Sequence, residues 1–446
     1  MNLWRLLPVT AAIGLALAGT ARAEGLLALY DAARAYDASW QSAKAQYDAN
    51  IARAEQARAG ILPQAALSAG VTRSTLETNV SGAPVNPAVD RGFTTQQATL
   101  SASQPLYRPA NLATYRQGQR QLELAEYQLT AASQDLMIRV SQAYFDVLAA
   151  QDTLAFVQAQ KAATAEQLAS AKRNFEVGTS TITDTREAQA RYDLVLAQEI
   201  AAENDLRVKR LALDTLVGRN DVEPSPLATP LEVPAPQPAS PGAWVAASED
   251  ASPAILQARK AVEIAELETE KAKAGKKPTL DLTTSYGLTR NAGGSSTLAQ
   301  DSRTNNANIG VAFQWPLFTG FAVENRIRET LSLQDKARSD LEATRRQVAQ
   351  AVRTAFFGVV SGQNQVRALE SAEASSQSAL DANRLGYQVG VRINIDVLNA
   401  QSQLFQTKRD LAQARYNVLL GHLKLRQANG TLQAEDLARL NTLLVR

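Results

Sequence analysis

The chain has 446 residues, of which 46 are lysine or arginine, 44 are aspartate or glutamate, one is histidine and none is cysteine. This length is enough for two or three ordinary domains or for one large elongated domain. The nearly neutral charge excludes a nucleic-acid partner held by bulk electrostatics, and the lack of cysteine excludes disulfides and a thiol-linked lipid anchor.

The first 23 residues have the pattern of a secretory signal peptide. The charged start MNLWR precedes an apolar run from Leu6 to Leu17, and small residues surround Arg22. The stretch between Arg5 and Arg22 is short for a membrane-spanning helix. We therefore expect export and cleavage before Glu24. No later apolar run reaches the length of about 18 residues that a transmembrane helix needs.

The rest of the chain consists of two copies of one unit. The tripeptide at 105–107, Pro-Leu-Tyr, returns at 316–318 as Pro-Leu-Phe, and Asp-Ala-Ser at 37–39 returns at 250–252. A cluster of prolines separates the copies and cannot continue a helix. We predict a first repeat, an extended linker and a second repeat, over residues 24–218, 219–248 and 249–446.

Each repeat begins with a helix and a β-hairpin. The helices are predicted over 26–59 and 253–274 from their composition and periodicity. Apolar residues then alternate with small or polar ones, which predicts the hairpins 65–103 and 279–317. Their strands are predicted over 65–75, 93–103, 279–289 and 307–317, and the turn-rich loop segments over 81–92 and 295–303.

Long helices complete each repeat. Apolar residues recur at alternating spacings of three and four from Leu129 to Val157, and in the same register from Leu341 to Leu369, a pattern typical of coiled coils. The first long helix, over about 110–176, would be on the order of 100 Å long. In each repeat a glycine ends the long helix, and a second helix runs back in the opposite direction, over 184–217 and 396–428. The helices of the second repeat are therefore predicted over 322–428.

The strands are long enough to cross an outer membrane when tilted. Ile309 and Val311 are predicted to face lipid, because they alternate with Asn308 and Gly310. Four strands cannot close a membrane barrel, since the smallest has eight, and an open edge in lipid leaves backbone groups unpaired. Two interpretations follow: a periplasmic coiled-coil protein with small sheets, or several chains that pool their strands above a helical tube.

Sequence features of enzymes are not found. The single histidine, His422, has no second histidine or cysteine with which to form a metal site, and neither a P-loop nor a G-x-S-x-G motif occurs. A lone histidine in a helical pattern is more often a packing or surface residue than a catalyst. We therefore expect a protein that is not an enzyme and that uses no cofactor.

The chain resembles the TolC-like outer-membrane channel proteins over essentially all residues after the signal. The most specific stretches are the two helix breaks, FEVGTSTITD at 175–184 and YQVGVRINIDVLNAQ at 387–401, and the segments LFQTKRDLAQARYN and QANGTLQAEDLARLN that follow. The resemblance implies a mainly α fold with β structure, a duplicated unit in which three chains build one twelve-stranded β-barrel and one α-barrel. The lack of cysteine places the chain beside the unlipidated branch of this family.

The resemblance also implies a function and partners. The trimer would be an exit duct that spans the outer membrane and the periplasm and passively conducts proteins or drugs. A periplasmic adaptor (membrane fusion) protein would join it to an inner-membrane ABC or proton-driven transporter, and outer-membrane lipid would surround its strands. The alternative is a periplasmic coiled-coil adaptor or another structural protein of an export complex. Adaptors, however, insert one helical hairpin into split β domains, whereas this chain has two complete copies.

Gly178 and Gly390 lie at equivalent helix breaks, 212 residues apart. A helix that reverses direction needs a residue tolerant of positive φ just beyond its end, and glycine is that residue. Asp184 and Asp396 follow the breaks near the starts of the next helices, where aspartates serve as favourable caps. From the residues alone, simple helix turns with caps explain both segments.

The resemblance implies more for these segments. Tyr387 and Arg392 would donate hydrogen bonds to Asp184, beside Thr183, and hold the periplasmic mouth of the duct closed. Asp396 matches an aspartate that rings the narrowest point of the pore. The second ring position is Asn399 here, which halves the ring charge and weakens the expected block by polyvalent cations. The two glycines, 178 and 390, match residues that contact the adaptor.

Overall fold

The computed structural model describes residues 24–78, 89–228 and 235–445. The predicted signal peptide and most of the first predicted loop lie outside these residues. Within them the chain forms the following elements: α1 (Leu26–Tyr36), α2 (Ala38–Ala59), β1 (Gln64–Thr78), β2 (Val89–Tyr107), α3 (Pro109–Glu176), α4 (Ile182–Val217), α5 (Pro241–Ala251), α6 (Pro253–Ala274), β3 (Thr279–Ala292), β4 (Ser302–Gln314), α7 (Ala322–Gln388), α8 (Asn394–Asn429) and α9 (Ala434–Asn441).

Two long helices set the length of the molecule. Helix α3 has 68 residues and α7 has 67, so each is about 100 Å long. Helices α2 and α4 pack along α3, and α6 and α8 pack along α7. The predicted coiled-coil spacing is reflected in buried residues of the seams, such as Val140 and Val147 in α3 and Val352 in α7. No helix in the described part of the chain is long and apolar enough to cross a membrane.

Each copy begins with an equivalent pair of helices, and the bounds of these helices differ from two of the predictions. Helices α1 and α2 begin and end 215 residues before α5 and α6. The continuous helix predicted over 26–59 is wrong at Asp37, which ends α1 and caps α2. The extended linker predicted over 219–248 is wrong at its end, because α5 begins at Pro241. A proline fits the first turn of a helix, where its missing N–H is not needed.

The four strands form one antiparallel sheet in the order β1-β2-β3-β4, so the two predicted hairpins lie side by side. Several predicted ends were wrong. Strand β2 begins at Val89, inside the predicted 81–92 loop, and β4 begins at Ser302, inside the predicted 295–303 loop. Strand β4 also ends at Gln314 and not at 317, because Pro316 cannot donate to a strand ladder.

The register of the sheet gives it one apolar and one polar face. Leu67 pairs with Leu100, which pairs with Tyr286 on the same face. Residues of this face are widely exposed in the single chain, Ile309 by 80% and Leu67 by 75%. The opposite face carries small and uncharged polar side chains through its middle, among them Ser68, Thr72, Gln97, Thr99, Thr283, Ser285, Asn306 and Asn308. An exposed apolar face of this size marks contact with lipid or another apolar partner.

The main hydrophobic core lies midway along the helices, where the short helix α1 packs against α3, α4 and α9. Leu29, Leu136, Leu213 and Leu437 are completely buried there. Tyr144 donates a hydrogen bond to the carbonyl of Ser225 at 2.7 Å, and burial raises the pKa of its hydroxyl. Helix α9 was not predicted from the sequence. It closes this core near the end of the described chain.

Asp37 holds the break between α1 and α2 in place. Its carboxylate accepts a hydrogen bond from the Trp40 N–H at 2.7 Å and two from the Arg139 guanidinium at 2.9 and 3.1 Å. The hydrogen bonds from Arg139 keep the pKa of Asp37 below its usual value, although burial opposes them. One side chain therefore caps α2 and fastens it to α3.

We expect Asp37→Ala to lower the free energy of unfolding by about 2–3 kcal/mol at neutral pH, because a cap and a charged pair are lost together. The pKa of Asp37 is lower in the folded than in the unfolded chain. Its stabilisation is therefore complete above a pH of about 4 and is lost as the pH falls through the folded-state pKa. Urea unfolding of the full chain in detergent, at neutral and at acid pH, measures the difference between parent and variant.

Asp48→Ala is the matched control, since Asp48 lies exposed on α2. It should change the free energy of unfolding by less than about 0.5 kcal/mol. Equal losses in the Asp37 and Asp48 variants at neutral pH would contradict the role given to Asp37.

Candidate functional site

The two helix breaks lie at the ends of α3 and α7 that are remote from the sheet. Gly178 has a φ of 77° and Gly390 a φ of 80°. Beyond Gly178, the Thr179 N–H donates to the Asn174 carbonyl at 2.8 Å; beyond Gly390, the Val391 N–H donates to the Gly386 carbonyl at 2.9 Å. Both breaks are therefore glycine-capped helix ends of the same type, as predicted. We call them the first tip (177–181) and the second tip (389–393).

Both tips present apolar side chains outward. Val177 is 73% exposed and Val391 is 76% exposed. No atom outside the chain neighbours lies within 4 Å of the place where a Cβ of Gly178 or Gly390 would be. The backbone at each turn is thus open to an approaching partner.

Asp184 is part of a capping box at the start of α4. Its Oδ2 atom accepts hydrogen bonds from the Thr181 N–H at 3.0 Å and from the hydroxyls of Ser180 and Thr181 at 2.8 Å each. The Asp184 N–H in turn donates to the Thr181 hydroxyl at 3.3 Å. Burial disfavours the charged carboxylate, but these hydrogen bonds outweigh it and keep the pKa of Asp184 below its usual value. Within the described residues its Oδ1 atom accepts no hydrogen bond.

Tyr387 and Arg392 have other partners within the chain. The Asn174 side-chain amide donates to the Tyr387 hydroxyl at 3.1 Å, and the Arg392 guanidinium lies 3.7 Å from the Asp396 carboxylate. The hydrogen bonds implied from Tyr387 and Arg392 to Asp184 do not form among the described residues of one chain, where Ser180 and Thr181 hold only the Oδ2 atom of Asp184. The implied network would need a second chain.

Three of the four predicted gate residues nevertheless share one groove. A groove of about 750 Å³ between the two tips is lined by Asp184, Tyr387 and Arg392, together with Asn174 and Asn394. Thr183 does not line it; its side chain is exposed and makes no hydrogen bond with any described residue. The groove brings together both implied donors and the implied acceptor.

Asn394 connects the two tips and was missed from the sequence. Its side chain is 1% exposed, donates to the Asp184 carbonyl at 3.2 Å and accepts from the Gln167 amide. The equivalent position of the first copy, 212 residues earlier, is Ile182. This difference between the two copies, polar in one and apolar in the other, is the sequence signal that could have identified Asn394.

Asp396 and Asn399 lie three residues apart on α8 and therefore share one face of that helix. Arg191 of α4 donates to the Asn399 side-chain oxygen at 2.9 Å. Asn399 stands where the resemblance would have a second carboxylate, and its side chain is held by the Arg191 guanidinium. Arg392 lies beside the Asp396 carboxylate.

Paired helices that reverse at two glycine tips, joined to a sheet with one apolar and one polar face, define the subunit of a membrane channel. The chain belongs to the outer membrane efflux protein family, whose model matches residues 29–219 and 244–431. The TolC-like assignment and the predicted fold class are confirmed. The protein is an outer-membrane exit duct for efflux and type I secretion, and this family consists of channels.

Comparisons with individual proteins agree with this assignment. The chain is 34% identical over 439 residues to outer membrane protein TolC of Vibrio cholerae, covering 98% of each chain. It is 30% identical over 426 residues to the proteases secretion protein PrtF of Dickeya chrysanthemi, covering 95% of this chain and 91% of that protein. The CmeC outer membrane channel of Campylobacter jejuni has the same fold, with a TM-score of 0.78 and 17% identity over 94% of this chain and 89% of that one.

Proposed function

We propose that three copies of this chain form one duct through the outer membrane and the periplasm. The observation that carries the proposal is the sheet, which has an apolar face and two edges, β1 and β4, without a strand partner among the described residues. Pairing β4 of each chain with β1 of the next removes every edge, as lipid requires. Two chains would give an eight-stranded barrel, and side chains fill the interior of a barrel of that size. Three is therefore the smallest number of chains that leaves a lumen.

Membrane fractionation and size analysis in mild detergent test this proposal. We expect a heat-modifiable trimer in the outer-membrane fraction. A soluble monomer in the periplasmic fraction would exclude the duct and favour the adaptor alternative.

We propose further that the duct is passive and takes no catalytic part in export. A periplasmic adaptor would dock on the tips and connect them to an inner-membrane transporter, either ATP-driven or proton-driven. The relative PrtF is named for the secretion of proteases, which supports proteins among the substrates. Gly390→Ala adds a methyl group where the tip is open. This variant should assemble normally and retain less adaptor in co-purification; equal retention would place the docking surface elsewhere.

We propose that the groove between the tips closes the duct. Among the described residues the Oδ1 atom of Asp184 accepts no hydrogen bond, and the exposed Arg392 side chain makes only a long ion pair. Arg392 of the partner subunit can therefore reach Asp184 without displacing the capping box, while Tyr387 is positioned by Asn174. A hydrogen bond to a charged group contributes roughly 1.5–3 kcal/mol when shielded and less at a wet mouth. Three copies hold the mouth by several kcal/mol, which docking of an adaptor can offset.

Tyr387→Phe combined with Arg392→Ser should open the mouth, because both donors are lost and the apolar seams are unchanged. We expect a higher conductance in planar bilayers and admission of large antibiotics that the parent excludes. Asp396→Ala is the control: it should weaken any cation preference of the pore and leave the mouth closed. Unchanged conductance of normally assembled double-variant trimers would leave Asp184 as a helix cap only.

A further inference from the structure

Three arginines lie on the apolar face of the sheet near its outer end. One row of the sheet consists of Val71, Gln96, Arg290 and Arg303, each paired with the next. Val71 lies four residues beyond Leu67 on β1, so the whole row is on the lipid side. Arg73 lies on the same face, one row further from the helices. We call Arg73, Arg290 and Arg303 the outer arginine cluster.

The height of this cluster can be estimated along β4. Phe313, exposed on the same face, stands at the end of the sheet nearest the helices, and the exposed Trp315 follows directly after the strand. Ten residues separate Phe313 from Arg303, which is about 34 Å along a strand. At the usual tilt of 35–45° this is about 24–28 Å along the membrane normal, close to the height of the apolar band of such barrels. The aromatic side chains therefore mark the inner boundary of the membrane, and the arginines mark the outer one.

The cluster has no partner among the residues that the structure describes. All three arginines are exposed, and none forms an ion pair or a side-chain hydrogen bond with a described residue. The acidic residue nearest in sequence, Asp301, is engaged elsewhere, since its carboxylate accepts from the Gly293 N–H at 2.8 Å. Arg290 and Arg303 stand directly opposite each other in the register. Like charges in such a pair destabilise a sheet unless an anion lies between them.

We propose that the outer arginine cluster binds the phosphate groups of a phosphorylated lipid in the outer leaflet of the outer membrane. Guanidinium groups bind phosphate through paired hydrogen bonds, and two of them stand side by side here. A shallow groove lined by Arg290 and Arg303 continues onto Val71 and Leu288, which can lie against the start of an acyl chain. The cluster lies at the depth of the lipid headgroups, so that its guanidinium groups face the phosphates and the neighbouring apolar side chains face the acyl chains. It depends on the outward orientation of this face and not on the number of chains in the duct.

The test uses the full-length protein in mild detergent and lipid A, a bis-phosphorylated glucosamine lipid, in mixed micelles. Native mass spectrometry counts the bound lipid, and a titration gives the affinity. The parent should bind lipid A and should not bind its dephosphorylated form. Arg290→Gln combined with Arg303→Gln should weaken binding about thirtyfold, the effect of two arginines at a membrane surface worth about 1 kcal/mol each. Binding should also weaken as the ionic strength rises.

Two comparison variants make the result specific. Lys172→Gln with Arg173→Gln removes the same charge at the far end of α3 and should bind lipid A like the parent. Arg290→Lys with Arg303→Lys keeps the charge, should fold like the parent, and should bind better than the glutamine variant. Equal binding by parent and glutamine variant would overturn the proposal. Displacement of the lipid by millimolar inorganic phosphate would also overturn it, because the cluster would then be a general anion site.

Discussion

Ile309→Arg combined with Val311→Arg should prevent insertion of the assembled protein into the outer membrane. Both side chains lie on the apolar face of β4, between the outer arginine cluster and the aromatic residues, and are exposed in the single chain. An arginine on the lipid face of a barrel costs about 2–4 kcal/mol at the midplane of the bilayer. Two per chain, repeated in every subunit, exceed the stability margin of most proteins. Heat-modifiable oligomer in the outer-membrane fraction is the quantity to measure.

Asn306→Arg supplies the matched control. Asn306 lies on the polar face of the same strand, opposite Gly287, so an arginine there would face water in the lumen. This variant should assemble and insert like the parent. Normal insertion of the Ile309 and Val311 variant would show that the assigned faces are reversed, and it would remove the basis of the lipid site as well.

Gly430→Ala should destabilise the helical core by about 2–5 kcal/mol. Gly430 follows α8 with a φ of 85°, and a Cβ there would lie 2.3 Å from the carbonyl oxygen of Ala251 and 2.5 Å from the Cα of Ser252. Left-handed backbone costs a non-glycine residue roughly 1–2 kcal/mol, and overlap with backbone atoms adds about 1–3 kcal/mol. The second contribution arises because these atoms belong to the junction of α5 and α6, which cannot move without shifting both helices. Urea unfolding in detergent measures the loss.

The same substitution at Gly390 separates the two costs. Gly390 has nearly the same backbone conformation, with a φ of 80°, but open space around it. Gly390→Ala should therefore lower the free energy of unfolding by only about 1–2 kcal/mol. Equal losses at the two glycines would mean that the α5–α6 junction yields to the extra methyl group.

The hairpins and long helices could be predicted because their signals are local. Alternation along a strand and three-four spacing along a helix can be read within a few turns of sequence. The break at Asp37 could not be predicted in this way, since an aspartate in a helix is ordinarily a solvated residue. Its meaning comes from Arg139, which is 102 residues away. Helix α5 was not predicted for a related reason. The prolines before Pro241 indicate an extended segment, and the helix is stabilised by its packing against α7.

The helix breaks beside the candidate site could be predicted from the sequence, but the hydrogen bonds around them could not. Both glycine breaks are local features, and the structure has them as expected. The partner of Arg392, Asp396, is local, but Asn174 is brought to Tyr387 by the packing of one tip against the other, which a single sequence does not reveal. Asn394 shows the limit most clearly. Its side chain bonds to Gln167 of α3 and Asp184 of α4, which lie 227 and 210 residues away in sequence, and these partners cannot be read from the residues around it.

The free edges of β1 and β4 have a genetic consequence. If each strand edge is paired with a strand of another copy, a defect in one subunit disrupts the sheet of the whole assembly. In the proposed assembly, a chain with intact helices but a damaged strand would pair along its helical surfaces with normal copies, and the resulting oligomer could not close its sheet. Such an allele should act dominantly when it is co-expressed with the parent. An allele that prevents the helices from folding, in contrast, should be recessive, because its product never joins an assembly.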